Sequence, residues 1–399
     1  MRPRPNPLTR APLVEKSNAW LSKAWAKGWL PEPTLDPAAL WAVAAKPFGS
    51  DAELVETTGR DSRDVADFRL RLSKLTEAAQ AEARLNPLGR AMGHGQLVRV
   101  IRQRLGMGKK WAEHTDLPRT DIAPPIIVIG HMRAGTTRVH KLLAADPAHS
   151  STRFCDAWHP VPAKPDMRAV KSAIDLAIMR RINPWIDAIH PMATQAVEEE
   201  LSWLAAALNH SVYQTQWHIP SYSGWSEARD PAPVYREFGR ILRTDSAYRG
   251  VSAKPRVLKV PTFSEDLPSL LAEFPDARLI IAQRDSEDVL RSAVSLVANL
   301  MTISSDHCDL GWIETEWRRK LALRDERMAS FVDHWDGPIA HLQFDALGED
   351  WESEIARTYQ ALDLELSGKA LLAMRKEMVR SKSGQHLSHS EHLSRFAMN

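Results

Sequence analysis

The sequence predicts an α/β protein: a parallel sheet flanked by helices, with a helical extension ahead of it and a large helical insertion after its first strand–helix unit. Three observations lead there. Short apolar, β-branched runs recur at Ile126–Ile129, Val257–Val260, Ala277–Gln283 and Ile339–Phe344, with helix-patterned sequence between them. The run ARLIIAQ is apolar without alternation, as in a central parallel strand covered on both faces. The first run also passes through a glycine-punctuated turn straight into an amphipathic helix, IIVIGHMRAGTTRVHKLL.

In chain order, residues 1–12 (MRPRPNPLTRAP) read as a flexible tail; they are basic and proline-broken, and lack the apolar segment of a secretory signal. Residues 13–120 read as the N-terminal helical extension. DPAALWAVAA opens on an Asp-Pro helix start, and DVADFRLRLSKLTEAAQAEARL carries apolar residues at three- and four-residue steps. LPRTDIAPP breaks the helices and hands over to the α/β domain, residues 121–399. Within that domain residues 156–248 form the helical insertion, rich in Trp and His, between the first and second of the four runs. VLKV is closed by Pro261, and IAHLQF is the weakest strand pattern of the four.

The bulk numbers fit a soluble enzyme. A chain of 399 residues buries a large core, and its 44% hydrophobic and 26% charged residues are ordinary. A net charge of +2 argues against a general nucleic-acid binder. The two cysteines, Cys155 and Cys308, have neither zinc spacing nor a CxxC partner and read as packing residues in a reducing compartment. No run approaches the ~20 apolar residues of a membrane span. The cytoplasm is the expected location, no metal is expected, and no oligomeric state is specified.

Gly130 and Gly135 keep the spacing of the phosphate-cradling loop GxxxxGK[ST], and Thr137 takes the Ser/Thr position, but Thr136 stands where the lysine belongs. Such a loop lets successive backbone N–H groups converge on an anion, and the following helix adds its positive end. Without the lysine, which reaches the β- and γ-phosphates, the cradle suits a single phosphate at a nucleoside 5′ position. Arg133 then becomes the available cation, its planar guanidinium suited to the bridging oxygen. Ala134, Gly135, Thr136 and Thr137 complete the cradle. The plain alternative is a glycine turn joining strand to helix.

A second element is QRDSEDVLRSAVSLVANL. Arg284 lies just beyond the carboxyl end of the apolar strand, where open α/β sheets bind ligands. Asp285 or Ser286 caps the next helix, and Glu287 and Asp288 suit its dipole. Ser292, two turns in, joins Arg284 as a candidate for a second phosphate. Taken alone, each is also an ordinary surface feature.

Together the two elements resemble those of the PAPS-dependent sulfotransferases. PR[ST]GTT of that family is HMRAGTT here, and RDPxDVxxS is RDSEDVLRS, with the same interval from Arg284 to Ser292. NPLGR, AIHPMATQAVEEE, VLKVP and the closing KSGQHLSHSEHL resemble the bacterial group with an N-terminal helical extension, so the likeness spans about residues 35–395. The resemblance implies a P-loop-like sheet and transfer of a sulfuryl group from 3′-phosphoadenosine 5′-phosphosulfate (PAPS) to the hydroxyl or amine of a small acceptor. It implies Arg133 and Lys259 at the leaving 5′-phosphate, with Lys382 and Gly384 in a segment over the 3′-phosphate.

The general base departs from the pattern. Family positions for a histidine hold Pro261 and Phe263 here. His190, Glu198 and Glu199, in the HPM…EE segment, become the candidates, with His131 and His140 behind them. A buried carboxyl beside an apolar acceptor has its pKa raised toward working range. Trp158, Trp185, Trp203, Trp217, Trp225, Tyr213 and Tyr222 of the insertion are expected either to line the acceptor pocket or to pack the core. Two other classes stay open: a non-catalytic 3′,5′-ADP or PAPS binder, and a nucleotide kinase or triphosphatase with a degenerate loop.

Overall fold

The computed structural model describes residue 4 and residues 6–382, the last two by backbone only. Five helices come first: α1 (Pro12–Ala26), α2 (Pro37–Ala45), α3 (Ala52–Thr57), α4 (Ser62–Ala81) and α5 (Pro87–Glu113). Asp36, Asp61 and Asn86 cap α2, α4 and α5, each accepting a hydrogen bond from a first-turn N–H. The apolar faces of these three helices bury Leu40, Phe68, Leu75 and Ile101 in a cluster that also holds Tyr213, Trp217 and Tyr222 of the insertion. The extension and the insertion therefore share one core. The first residues are tied down where they are described: the buried Arg4 donates to the Thr9 carbonyl at 3.0 and 2.9 Å, and its guanidinium lies 5.5 Å from the Trp185 ring centre.

The sheet has five parallel strands, β1 (Ile126–Ile129), β2 (Ser150–Ser151), β3 (Arg256–Lys259), β4 (Arg278–Gln283) and β5 (Ile339–Gln343), in the order β2-β3-β1-β4-β5. The four apolar runs became β1, β3, β4 and β5. Two-residue β2, made of serines, carries no such signal. Pairing Val128 with Lys259 and with Ile280 brings the carboxyl ends of β3, β1 and β4 to one edge. Side chains alternate across the sheet. Ile127, Ile129, Leu258, Leu279 and Ile281 face one core, while Ile126, Val128, Val257 and Ile280 face another.

Helices cover both faces. α6 (Thr136–Ala145) leads from β1 to β2. The insertion then supplies α7 (Phe154–Trp158), α8 (Arg168–Ile182), α9 (Ile186–Ile189), α10 (Leu201–Ala206), α11 (His210–Tyr213), α12 (Pro220–Glu227) and α13 (Ala232–Tyr248). α14 (Leu267–Glu273) precedes β4, α15 (Ser286–Ser304) and α16 (Leu310–Val332) follow it, and α17 (Phe344–Glu349), α18 (Trp351–Ala361) and α19 (Gly368–Lys382) close the chain. The connection from β1 leads toward the β2 edge and that from β4 toward the β5 edge, so the crevice between β1 and β4 is the topological switch point, where such sheets bind ligands. No described helix is long and apolar enough to cross a membrane.

Candidate active site

The turn after β1 is shaped by close contacts. Gly130 has φ +139°, and a Cβ there would lie 2.5 Å from the Ala282 carbonyl oxygen on β4. Gly135 caps α6 with φ +82°, and its Cβ would sit 2.1 Å from the Phe344 ring. Arg133 holds a left-handed φ of 71°, which is strained for a non-glycine residue. Among the described residues no side chain caps α6, so its first-turn N–H groups, which lack intrahelical partners, meet no competing side-chain acceptor there.

Arg133 turns back toward α15 and the insertion. Its Nε donates to Ser292 Oγ at 2.8 Å and its Nη1 to the Ile189 carbonyl at 3.1 Å. Burial lowers its pKa, partly offset by Glu199 and reinforced by Arg284. Arg284, beyond β4, donates from Nη1 to the Arg133 carbonyl at 3.1 Å and stacks 4.6 Å above the Phe344 ring whose edge crowds Gly135. The two sequence motifs thus meet, through Phe344 and the Arg133 peptide. Ser292 is bonded to Arg133 in this geometry, and Arg284 reaches Asp288 at 3.4 Å. Asp285 is the helix cap, accepting from Glu287 and Asp288 N–H at 3.0 Å each.

Lys259 ends β3 almost fully buried. Its Nζ donates to Thr137 Oγ1 at 3.2 Å and is ion-paired with Glu199 Oε1. Its backbone N–H donates to Glu200 Oε2 at 3.0 Å. Glu200, next in the same acidic run, is completely buried, and burial pushes its carboxyl up to about 7. No pattern of period or spacing marks it: only the fold places its oxygen on the β3 backbone.

His190 follows α9, next to the carbonyl that Arg133 holds. Its Nε2 lies 3.0 Å from Glu198 Oε1, which also accepts from Glu199 N–H at 3.0 Å. Burial works against charge on both partners. The opposing charge and the hydrogen bond outweigh it, so His190 is raised and Glu198 lowered from their usual values. His190, Glu198 and Glu199 bring three ligand-type atoms within 4.8 Å of one another, and the Lys259 ammonium supplies a cation to this group.

The other histidines stand apart from this group. His140 is buried, bonded to the Val257 carbonyl at 3.2 Å and pushed down to about 3 by burial. His131 faces Asp325 at 2.8 Å. Phe263 lies in the core against Tyr235 and Phe238, so a side chain at that position points away from the loop. Lys382 closes α19 with only its backbone described, and Gly384 lies outside the described residues.

A cavity of about 220 Å³ opens beside the loop. Arg133, Thr137, His190, Glu198, Glu199 and Lys259 all line it. Its apolar wall differs from the expected one. Of the seven aromatics expected there only Trp158 contributes. Trp203, Trp217, Tyr213 and Tyr222 are packed in the cores, and Met179, Ile186, Leu201 and Leu296 face the space together with Trp317 of α16. Clustering in sequence did not distinguish the cavity side of each short helix from its core side.

Comparisons with known proteins find similar sequences and similar folds. The curated omega-hydroxy-beta-dihydromenaquinone-9 sulfotransferase Stf3 of Mycobacterium bovis, and that of Mycobacterium tuberculosis, is 26% identical over 287 residues, 66% of this chain and 69% of the relative. Sulfotransferase STF1 from Mycobacterium tuberculosis H37Rv superposes with a TM-score of 0.76 at 26% identity, covering 92% of this chain and 99% of the other. STF9 from Mycobacterium avium shares the fold at a TM-score of 0.76 and 18% identity, over 91% and 97% of the two chains. A family model described as "Sulfotransferase family" matches residues 124–368, from just before β1 to the start of α19. With a matching family model over more than half its length and a parallel sheet that gathers Arg133, Lys259 and Arg284 at one edge, the chain belongs to the sulfotransferase family.

Proposed function

We propose that this enzyme moves the sulfuryl group of PAPS to the hydroxyl of a small, largely apolar acceptor. One observation carries the reading: a single cavity wall presents Arg133, Thr137 and Lys259 beside the His190–Glu198 pair. The first three suit the 5′-phosphate end of the donor. Arg284, one peptide away, suits the 3′-phosphate, with Ser292 positioning Arg133. In this scheme the acceptor oxygen attacks sulfur in line. The bond from sulfur to the 5′-phosphate oxygen breaks, and its electrons stay on that oxygen, where Arg133 and Lys259 offset the charge.

The acceptor proton goes to His190. With Nε2–H donated to Glu198, Nδ1 is the basic ring nitrogen, and Glu198 stabilises the imidazolium that forms. This pair stands in for the histidine missing at Pro261 and Phe263. Glu199 is engaged by Lys259 and is the weaker candidate for a base. Apolar lining and the name of the Stf3 relative both support an acceptor whose hydroxyl sits on an apolar body. The test is transfer of labelled sulfate from PAPS across phenols, sterols and long-chain alcohols. Labelled product with His190→Ala reduced at least a hundredfold is expected; tight 3′,5′-ADP binding with no product from any acceptor would leave a binding protein instead.

A further inference from the structure

The cavity contains a second polar region, on elements other than those of the reactive group. Ser211 and Gln214, on and just after α11, and Arg324 of α16 also line it. All three are nearly fully buried, at 3%, 4% and 3% exposure. Each holds one buried polar atom without a hydrogen-bond partner among the described residues: Ser211 Oγ, Gln214 Oε1 and Arg324 Nη1. Buried side-chain polar atoms are rarely left so, and three on one cavity mark a polar patch that takes its partner from outside the chain.

Charge in this region is already balanced. Arg324 Nε and Nη2 both reach Glu265 Oε1 at 2.7 Å, and Lys320 is paired with Glu227. Burial raises Glu265, but Arg324 and His210 outweigh it and hold the carboxyl well below its usual range, so the pair stays ionised. His210 Nε2 lies 3.2 Å from the other Glu265 oxygen. An added anion would bring an excess negative charge into this buried, balanced group. An uncharged oxygen would not.

One functional group has the donor and acceptor complement of all three atoms. A hydroxyl oxygen accepts from an N–H or O–H, and its own hydrogen suits an amide oxygen. We propose that Ser211, Gln214 and Arg324 form a recognition subsite for a second hydroxyl on the acceptor, separated from the reacting hydroxyl by an apolar body. The acceptor class is then a diol rather than a simple alcohol or phenol. Met179, Ile186, Leu296 and Leu300 of the same cavity suit that apolar body. This rests on the reading of the cavity as the acceptor site of a sulfotransferase.

The test uses three probes built on the same ten-carbon chain: α,ω-decanediol, decanol and ω-methoxydecanol. Their binding is measured by calorimetry with 3′,5′-ADP present, and their turnover with PAPS. The expected result is that the diol binds the wild-type enzyme roughly ten- to hundredfold more tightly than decanol, because decanol leaves the buried atoms unpaired. The methyl ether, which has no hydrogen for Gln214, falls with decanol. Gln214→Leu and Ser211→Ala bring the diol toward decanol through KM rather than kcat; they leave the Arg324–Glu265 pair intact and so report where Arg324→Met could fail to fold. Equal binding of the three probes, or unchanged diol preference in both variants, would mean that only water sits here and would overturn the subsite. Absence of sulfated product with the calorimetric preference intact would instead defeat the sulfotransferase reading while leaving the subsite standing.

Discussion

Arg133 carries the most of any single side chain in this site, joining the glycine turn, Ser292 and the residue before His190. Arg133→Ala is expected to lower kcat by about a hundredfold or more, the usual loss of a donor aimed at developing charge. A near-native circular dichroism spectrum with an unchanged rate would remove it from the chemistry. His190 gives a pH signature. Its charged form is favoured by Glu198, so the basic form accumulates at higher pH than in an ordinary histidine. Glu198→Gln removes that support, and the acid limb of kcat/KM should move to lower pH while the plateau falls; a limb that stays in place would separate His190 from proton transfer. Glu200 gives a stability signature. An unfolded glutamate titrates at about 4.3, whereas this one holds its proton up to about 7 in the fold. The folded state therefore binds the extra proton between those values, and its contribution to stability is complete below the lower value and lost as pH rises through the upper one. Glu200→Gln should raise the melting temperature relative to wild type more at pH 8 than at pH 5.

Among the elements, the unit from β1 through the turn to α6 was legible because its signals are local: an apolar run, two glycines at fixed spacing and an amphipathic helix. The same holds for β4 with Arg284 and the Asp285 cap. What the spacing did not show is how tightly the turn is seated. Gly135 is pressed against Phe344, so Gly135→Ala both overpacks and strains a left-handed residue, with an expected loss of about 1–3 kcal/mol in urea unfolding. An unchanged midpoint would mean that Phe344 is free to move aside. Two-residue β2 and the short helices of the insertion escaped the reading, since their patterns are too brief for a period to register.

Across the whole molecule, the sheet class and the two phosphate motifs came from sequence, whereas the contacts that make a site of them did not. Arg133 and Ser292 lie far apart in the chain and meet only because β1 and β4 are neighbours. The burial of Glu200 and the apolar wall built from methionines and leucines likewise depend on how the insertion folds over the sheet. The central claim is that the turn holding Arg133 and the strand end holding Arg284 grip one adenosine bisphosphate. Isothermal titration of 3′,5′-ADP against 5′-AMP, on the wild-type chain and on Arg284→Ala, tests it most directly. The account predicts that 3′,5′-ADP binds the wild-type chain at least about tenfold more tightly than 5′-AMP, as expected for an added charged hydrogen bond, and that Arg284→Ala erases the difference. Equal affinities in the wild type, or a preference that survives the substitution, would contradict it.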